Sequence, residues 1–126
     1  MLFRYVTFKK NNCSDWYVDH IGYSSRLTYD SKVTNVKTSE PYNTYIINID
    51  KSYDILDKQG NIIYDNDLIK AENKVFLVKK KKNRKTPIFI NMDNLKESHT
   101  ILYLDKVDWE LIGNVYNLDT FNFNKL

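Results

Sequence analysis

The chain has 126 residues and a formal net charge of +3, with 16 Lys, 15 Asn, 12 Ile and 10 Tyr against 1 Ala, 3 Gly, 2 Pro and 3 Arg. The length fits one domain, residues 1–126, large enough to bury a core, and the counts exclude collagen-like, disulfide-rich and membrane-helix classes. The abundant residues have A/T-rich codons, so part of the lysine and asparagine excess reflects coding sequence rather than a task.

Scarcity of alanine, the best helix former, argues against long helices. Abundant β-branched and aromatic residues favour strands instead. Residues 2–9 read as a first strand. Residues 13–41 are the least legible: Ser, Thr, Asn and Asp suggest loops around strands at 15–22 or 26–29. Residues 43–50 alternate clearly, with Tyr45, Ile47 and Ile49 on one face and Ile46, Asn48 and Asp50 on the other. Residues 53–56 and 62–64 form a hairpin across 57–61, where Gly60-Asn61 tolerates the positive φ of a tight turn.

Asp67 is placed to cap a helical turn over 68–72, and Asp93 another over 94–98. Between them, residues 74–78 and 87–91 form a second hairpin whose tip is the polar run 79–86. Residues 100–104 and 107–111 pair across Asp105-Lys106, with Val107, Trp109 and Leu111 on one side and Asp108 and Glu110 on the other. The expected fold is therefore mainly β, with β-rich α+β as the variant. It is a single antiparallel sheet, small barrel or sandwich with one or two short helices.

The strongest local signal is Lys79, Lys80, Lys81, Lys82, Arg84 and Lys85, six cations in seven positions. Such a run repels itself, and an anionic partner relieves that repulsion. A solvated hairpin tip guarded by lysines is the plainer account. Tyrosine and tryptophan give large rigid contact area at interfaces. Tyr5, Tyr45, Tyr103 and Trp109 sit in good strand patterns and read as core. Trp16, Tyr17, Tyr23, Tyr29 and Tyr42 lie in the poorly patterned region and read as candidate contacts.

Catalytic sets are thin. Cys13, Asp15, Asp19 and His20 are neighbours in sequence, but a thiolate needs its base and orienting acid in contact. Zinc needs three or four Cys or His ligands, and His99 has no local partner in the sequence. Asp54, Asp57, Asp65 and Asp67 cluster, the last two on one face of a strand, but their spacing does not match a calcium loop. Three separated glycines cannot build a phosphate cradle. No cofactor, metal site or catalytic residue is assigned.

One cysteine, a polar start unlike a signal peptide and no long apolar run set the expectation of a cytoplasmic protein without a membrane span. The expected function is non-enzymatic binding by protein–protein contact. An inhibitor, immunity or accessory protein of a phage, virus or mobile element fits that description. In this reading the lysine run steers association with an acidic patch, and an open edge strand also permits homodimerisation. The alternative is a small β-barrel binding RNA or single-stranded DNA through the lysine tip and nearby aromatics. Few arginines disfavour base-specific DNA reading.

Overall fold

A computed structural model describes residues 2–10, 17–25, 34–37 and 44–118. It is mostly β, built of antiparallel sheets, with no helix of seven or more residues among the described residues. These residues fall into two compact units, one within Met1–Lys51 and one within Ser52–Asp119.

In the first unit, β1 (Phe3–Lys10) pairs on one side with β2 (Tyr17–Ser24) and on the other with β4 (Thr44–Leu56), which also pairs with β3 (Thr34–Lys37). Alternation along β1 sends Arg4, Val6 and Phe8 to a buried face. Cross-strand register places Arg4 opposite Asp50, so a charged pair enters that face. Ile49 and Asp50 are both buried, which means both faces of β4 are covered there. The strand expected at 15–22 corresponds to β2, whereas the one at 26–29 falls outside the described residues.

The second unit contains the end of β4 and its partner β5 (Ile62–Tyr64), joined by the expected turn. Gly60 adopts φ 84 there, a conformation that favours glycine. A separate sheet runs β10–β6–β7–β8–β9, with β6 (Asp67–Ala71), β7 (Lys74–Lys79), β8 (Ile88–Asn91), β9 (Ser98–His99) and β10 (Trp109–Asn114). Ile63, Ile69, Ala71, Phe76, Val78, Phe89 and Leu104 form its core. Trp109, Leu111 and Val107 pack against them, as the alternation around Trp109 requires.

Three local expectations are corrected. Residues 67–71 form a strand, not a capped helix. This strand lies between β10 and β7 and buries Leu68 as well as Ile69, so apolar residues on both faces erase the alternation that marks a half-wet strand. Residues 101–105 form a 3-10 turn rather than a strand. Its three-residue period turns Ile101 and Leu104 toward the core and leaves Leu102 65% exposed. β10 consequently pairs with β6. Residues 94–98 hold a tight turn, with the Glu97 amide donating to Asn94 O at 2.9 Å, and then enter β9 instead of a helix.

Candidate functional site

The cationic run closes the β7–β8 hairpin as expected. Register pairs Lys79 with Ile88 and Val78 with Phe89, so residues beyond Lys79 leave the ladder. Lys80 to Thr86 are exposed, and Pro87 is buried where β8 begins. The Arg84 amide donates to Lys81 O at 3.2 Å, with Asn83 at φ 67. A positive φ at the third position of such a turn is one that Asn tolerates. The tip is a defined turn.

The turn between β5 and β6 holds the base of this tip. Asp65 Oδ1 accepts the Lys80 amide at 2.7 Å and the Tyr53 hydroxyl at 3.3 Å. Asn66 is 4% exposed and adopts φ 70. Its amide donates to Val78 O at 2.9 Å, and its carbonyl accepts from the Val115 amide at 3.0 Å. Its side chain accepts Lys79 Nζ at 2.8 Å and donates to the Tyr116 hydroxyl at 3.3 Å. Lys79 is thus half-buried and engaged. By contrast, no ion pair joins Lys80, Lys81, Lys82, Arg84 or Lys85 to an acid among the described residues.

Asp65 and Asp67 do not share a strand face as expected: Asp65 is in the turn, and Asp67 opens β6. Asp67 Oδ2 accepts the Tyr64 amide at 2.7 Å. Asp57 holds the preceding turn, accepting from the amides of Gln59 and Asn61 at 3.0 and 2.8 Å and from the Asn61 side chain at 3.1 Å. It also accepts the Leu111 amide from β10. Burial opposes ionisation of Asp57, but these donors outweigh it and hold its carboxyl below the ordinary carboxylate range. Stability from this group is present above the unfolded pKa and lost as pH falls through the lower folded value. The urea midpoint advantage of the native chain over Asp57→Asn should therefore shrink as pH falls below about 4. A pH-independent difference would contradict this assignment.

Contrary to expectation, His99 has a local partner, Glu97, two residues before it. Its Nε2 lies 2.9 Å from Glu97 Oε2, and its ring stacks on Tyr103 with centroids 3.9 Å apart. Phe76 meets both rings edge-on. Glu97 is held ionised by bonds from His99 first, then Lys74 and Asn91. Tyr103 donates to Glu72; burial, then this bond and the nearby Glu72 and Glu97 charges, push its phenol up to about 12. It stays neutral at ordinary pH. The cluster seals the edge of the core, with its imidazole engaged by a carboxylate and two rings.

A shallow open depression of about 260 Å3 borders this region, lined by Lys58, Lys70, Glu72, Asp108, Trp109 and Glu110 among others. It carries two cations against three carboxylates, and Lys58 pairs with Asp108 at 3.3 Å. Among the described residues, no group of three His, Cys, Asp or Glu is arranged to hold a metal ion. No helix among them is long and apolar enough to cross a membrane.

The aromatic candidates divide. Tyr17 and Tyr23 on β2 are 41% and 60% exposed, and Asp19 and His20 are exposed beside them. Trp16, Tyr29, Tyr42, Cys13 and Asp15 lie outside the described residues. Sequence reasoning missed Asn66 and read Asp65 only as part of a carboxylate cluster, not as the residue that ties the tip. Their signal is the polar cluster 65–67, which marks a turn but not which loop the turn supports. Comparison with protein families, curated proteins and solved structures finds no significant match for this chain.

Proposed function

We propose that this chain is a non-enzymatic binding protein whose β7–β8 tip docks on an acidic surface of a partner protein. The observation that carries this reading is the exposed set of Lys80, Lys81, Lys82, Arg84 and Lys85 on a defined turn, unpaired with any acid among the described residues. Five cations held close together raise the local potential, steer an anionic partner and speed encounter. A protein is favoured over a nucleic acid because the tip has no aromatic ring for base stacking. It also has a single arginine for bidentate recognition.

The test compares the native chain with the fourfold variant Lys81→Ala, Lys82→Ala, Arg84→Ala, Lys85→Ala. All four side chains are exposed, so the fold should be unaffected. Poly-L-glutamate binding should weaken about tenfold in the variant and fall with added salt in the native chain. A stoichiometric partner captured from source-cell lysate by the native chain should be lost by the variant. Equal poly-L-glutamate binding by both chains would reject the docking reading. Tighter binding to mixed single-stranded oligonucleotides, with a steep salt slope, would replace the protein partner by a nucleic acid.

A further inference from the structure

Asp65 and Asn66 lie outside the cationic run, yet both engage its base. Asp65 takes the Lys80 amide at 2.7 Å, and Asn66 takes Lys79 Nζ at 2.8 Å. We propose that this turn is a positioning device for the docking tip: it withdraws Lys79 from the contact and presents Lys80, Lys81, Lys82, Arg84 and Lys85 to the acidic partner. The inference rests on the docking reading above and adds which residues shape the contact.

Docking a loose loop costs conformational freedom, and ordering it beforehand reduces that cost. Here the loop is tied at Lys80, turned at Lys81–Arg84 and stopped at the buried Pro87. Asp65 performs this tying although it is itself an anion beside five cations. Simple electrostatics says that removing a negative charge there strengthens binding to an acidic partner. Positioning gives the opposite sign. The Asn66 contact makes a separate claim: among the described residues, Lys79 is the cation of the run whose ammonium a neighbouring turn engages, so its charge contributes little to docking.

The experiment measures the affinity of full-length chains for poly-L-glutamate at one fixed low salt concentration. Asp65→Ala should weaken binding about threefold or more, whereas Asp65→Asn, which keeps an oxygen for the Lys80 amide, should stay within about twofold of the native chain. Hydrogen exchange at the Lys80 amide should accelerate in Asp65→Ala and not in Asp65→Asn, reporting the lost bond while the core amides stay protected. Lys79→Gln can still bond to Asn66 and should remain within about twofold of native, while Lys81→Ala weakens binding more. Native or tighter affinity in Asp65→Ala would overturn the positioning role. A loss in Lys79→Gln equal to that in Lys81→Ala would overturn the withdrawal of Lys79. If Asp65→Ala fails to fold, a twofold or greater gain in Asp65→Asn would mark Asp65 as a mere opposing charge and reject the proposal. Failure of the docking reading is distinguishable, because the fourfold tip variant retains Asp65 and Asn66.

Discussion

Asp50→Ala should destabilise the first unit by about 3–5 kcal/mol, because it takes the Asp50 carboxylate away from a buried guanidinium. Arg4 Nε and a terminal guanidinium nitrogen each lie 2.9 Å from Asp50 Oδ2. The two side chains are 2% and 1% exposed, so water cannot substitute for the lost carboxylate. Asn48 Nδ2 donates to the other oxygen, Oδ1, at 3.1 Å, and that bond would be lost as well. Replacing both charges, as in Arg4→Met with Asp50→Leu, should recover most of the loss, since an apolar pair avoids the desolvation penalty. Urea titrations of the native chain, Asp50→Ala, the single variants Arg4→Met and Asp50→Leu and their double variant, followed by circular dichroism, measure the loss and close the cycle. A single variant within about 1 kcal/mol of native would show that the Arg4–Asp50 contact contributes little to stability.

Asn66→Ala should cost about 3.5–5 kcal/mol. The larger part is the bond from Lys79 Nζ, which a charged donor makes worth about 1.5–3 kcal/mol, with about 1 more from Tyr116. Backbone strain adds roughly 1 kcal/mol, since alanine resists the left-handed region that Asn enters readily. Asn66→Gly separates these contributions, losing the side-chain bonds but accepting φ 70 without strain. The glycine variant should therefore be the more stable of the two by urea midpoint. Equal midpoints would show that the left-handed turn adds nothing. Hydrogen exchange at the Lys80 amide should rise in both variants, linking Asn66 to the order of the tip.

Some elements were legible because their chemistry is local. The turn at 57–61 announces itself through Gly60-Asn61: Gly60 takes the positive φ, and the Asn61 amide is held by Asp57, which the sequence did not assign to the turn. The hairpin 74–91 is visible because β7 alternates, with Phe76 and Val78 buried between less buried neighbours, and because the cations between its strands cannot enter a core. The β6–β7 turn was not legible. Glu72 and Asn73 both adopt positive φ, as a two-residue hairpin loop demands, but glutamate is an unusual choice there and gave no signal. The same holds for His99. Its ring meets Tyr103 only because the 3-10 turn carries Tyr103 back over β9.

The +3 chain nearly without alanine and glycine determined by itself a β architecture, the absence of a glycine-built phosphate cradle, and a cationic tip between two strands. Those properties follow from propensity, alternation and local turn chemistry, which act over a few residues. Tertiary structure alone decided that Arg4 meets Asp50, that Asn66 engages Lys79 and that Asp65 ties the Lys80 amide. These partners are 46, 13 and 15 residues apart in sequence. Strand register and the crossing of two turns bring them together, and no short-range pattern encodes either. The lysine run is therefore readable as six cations, but only the fold separates the one it engages from the five it exposes.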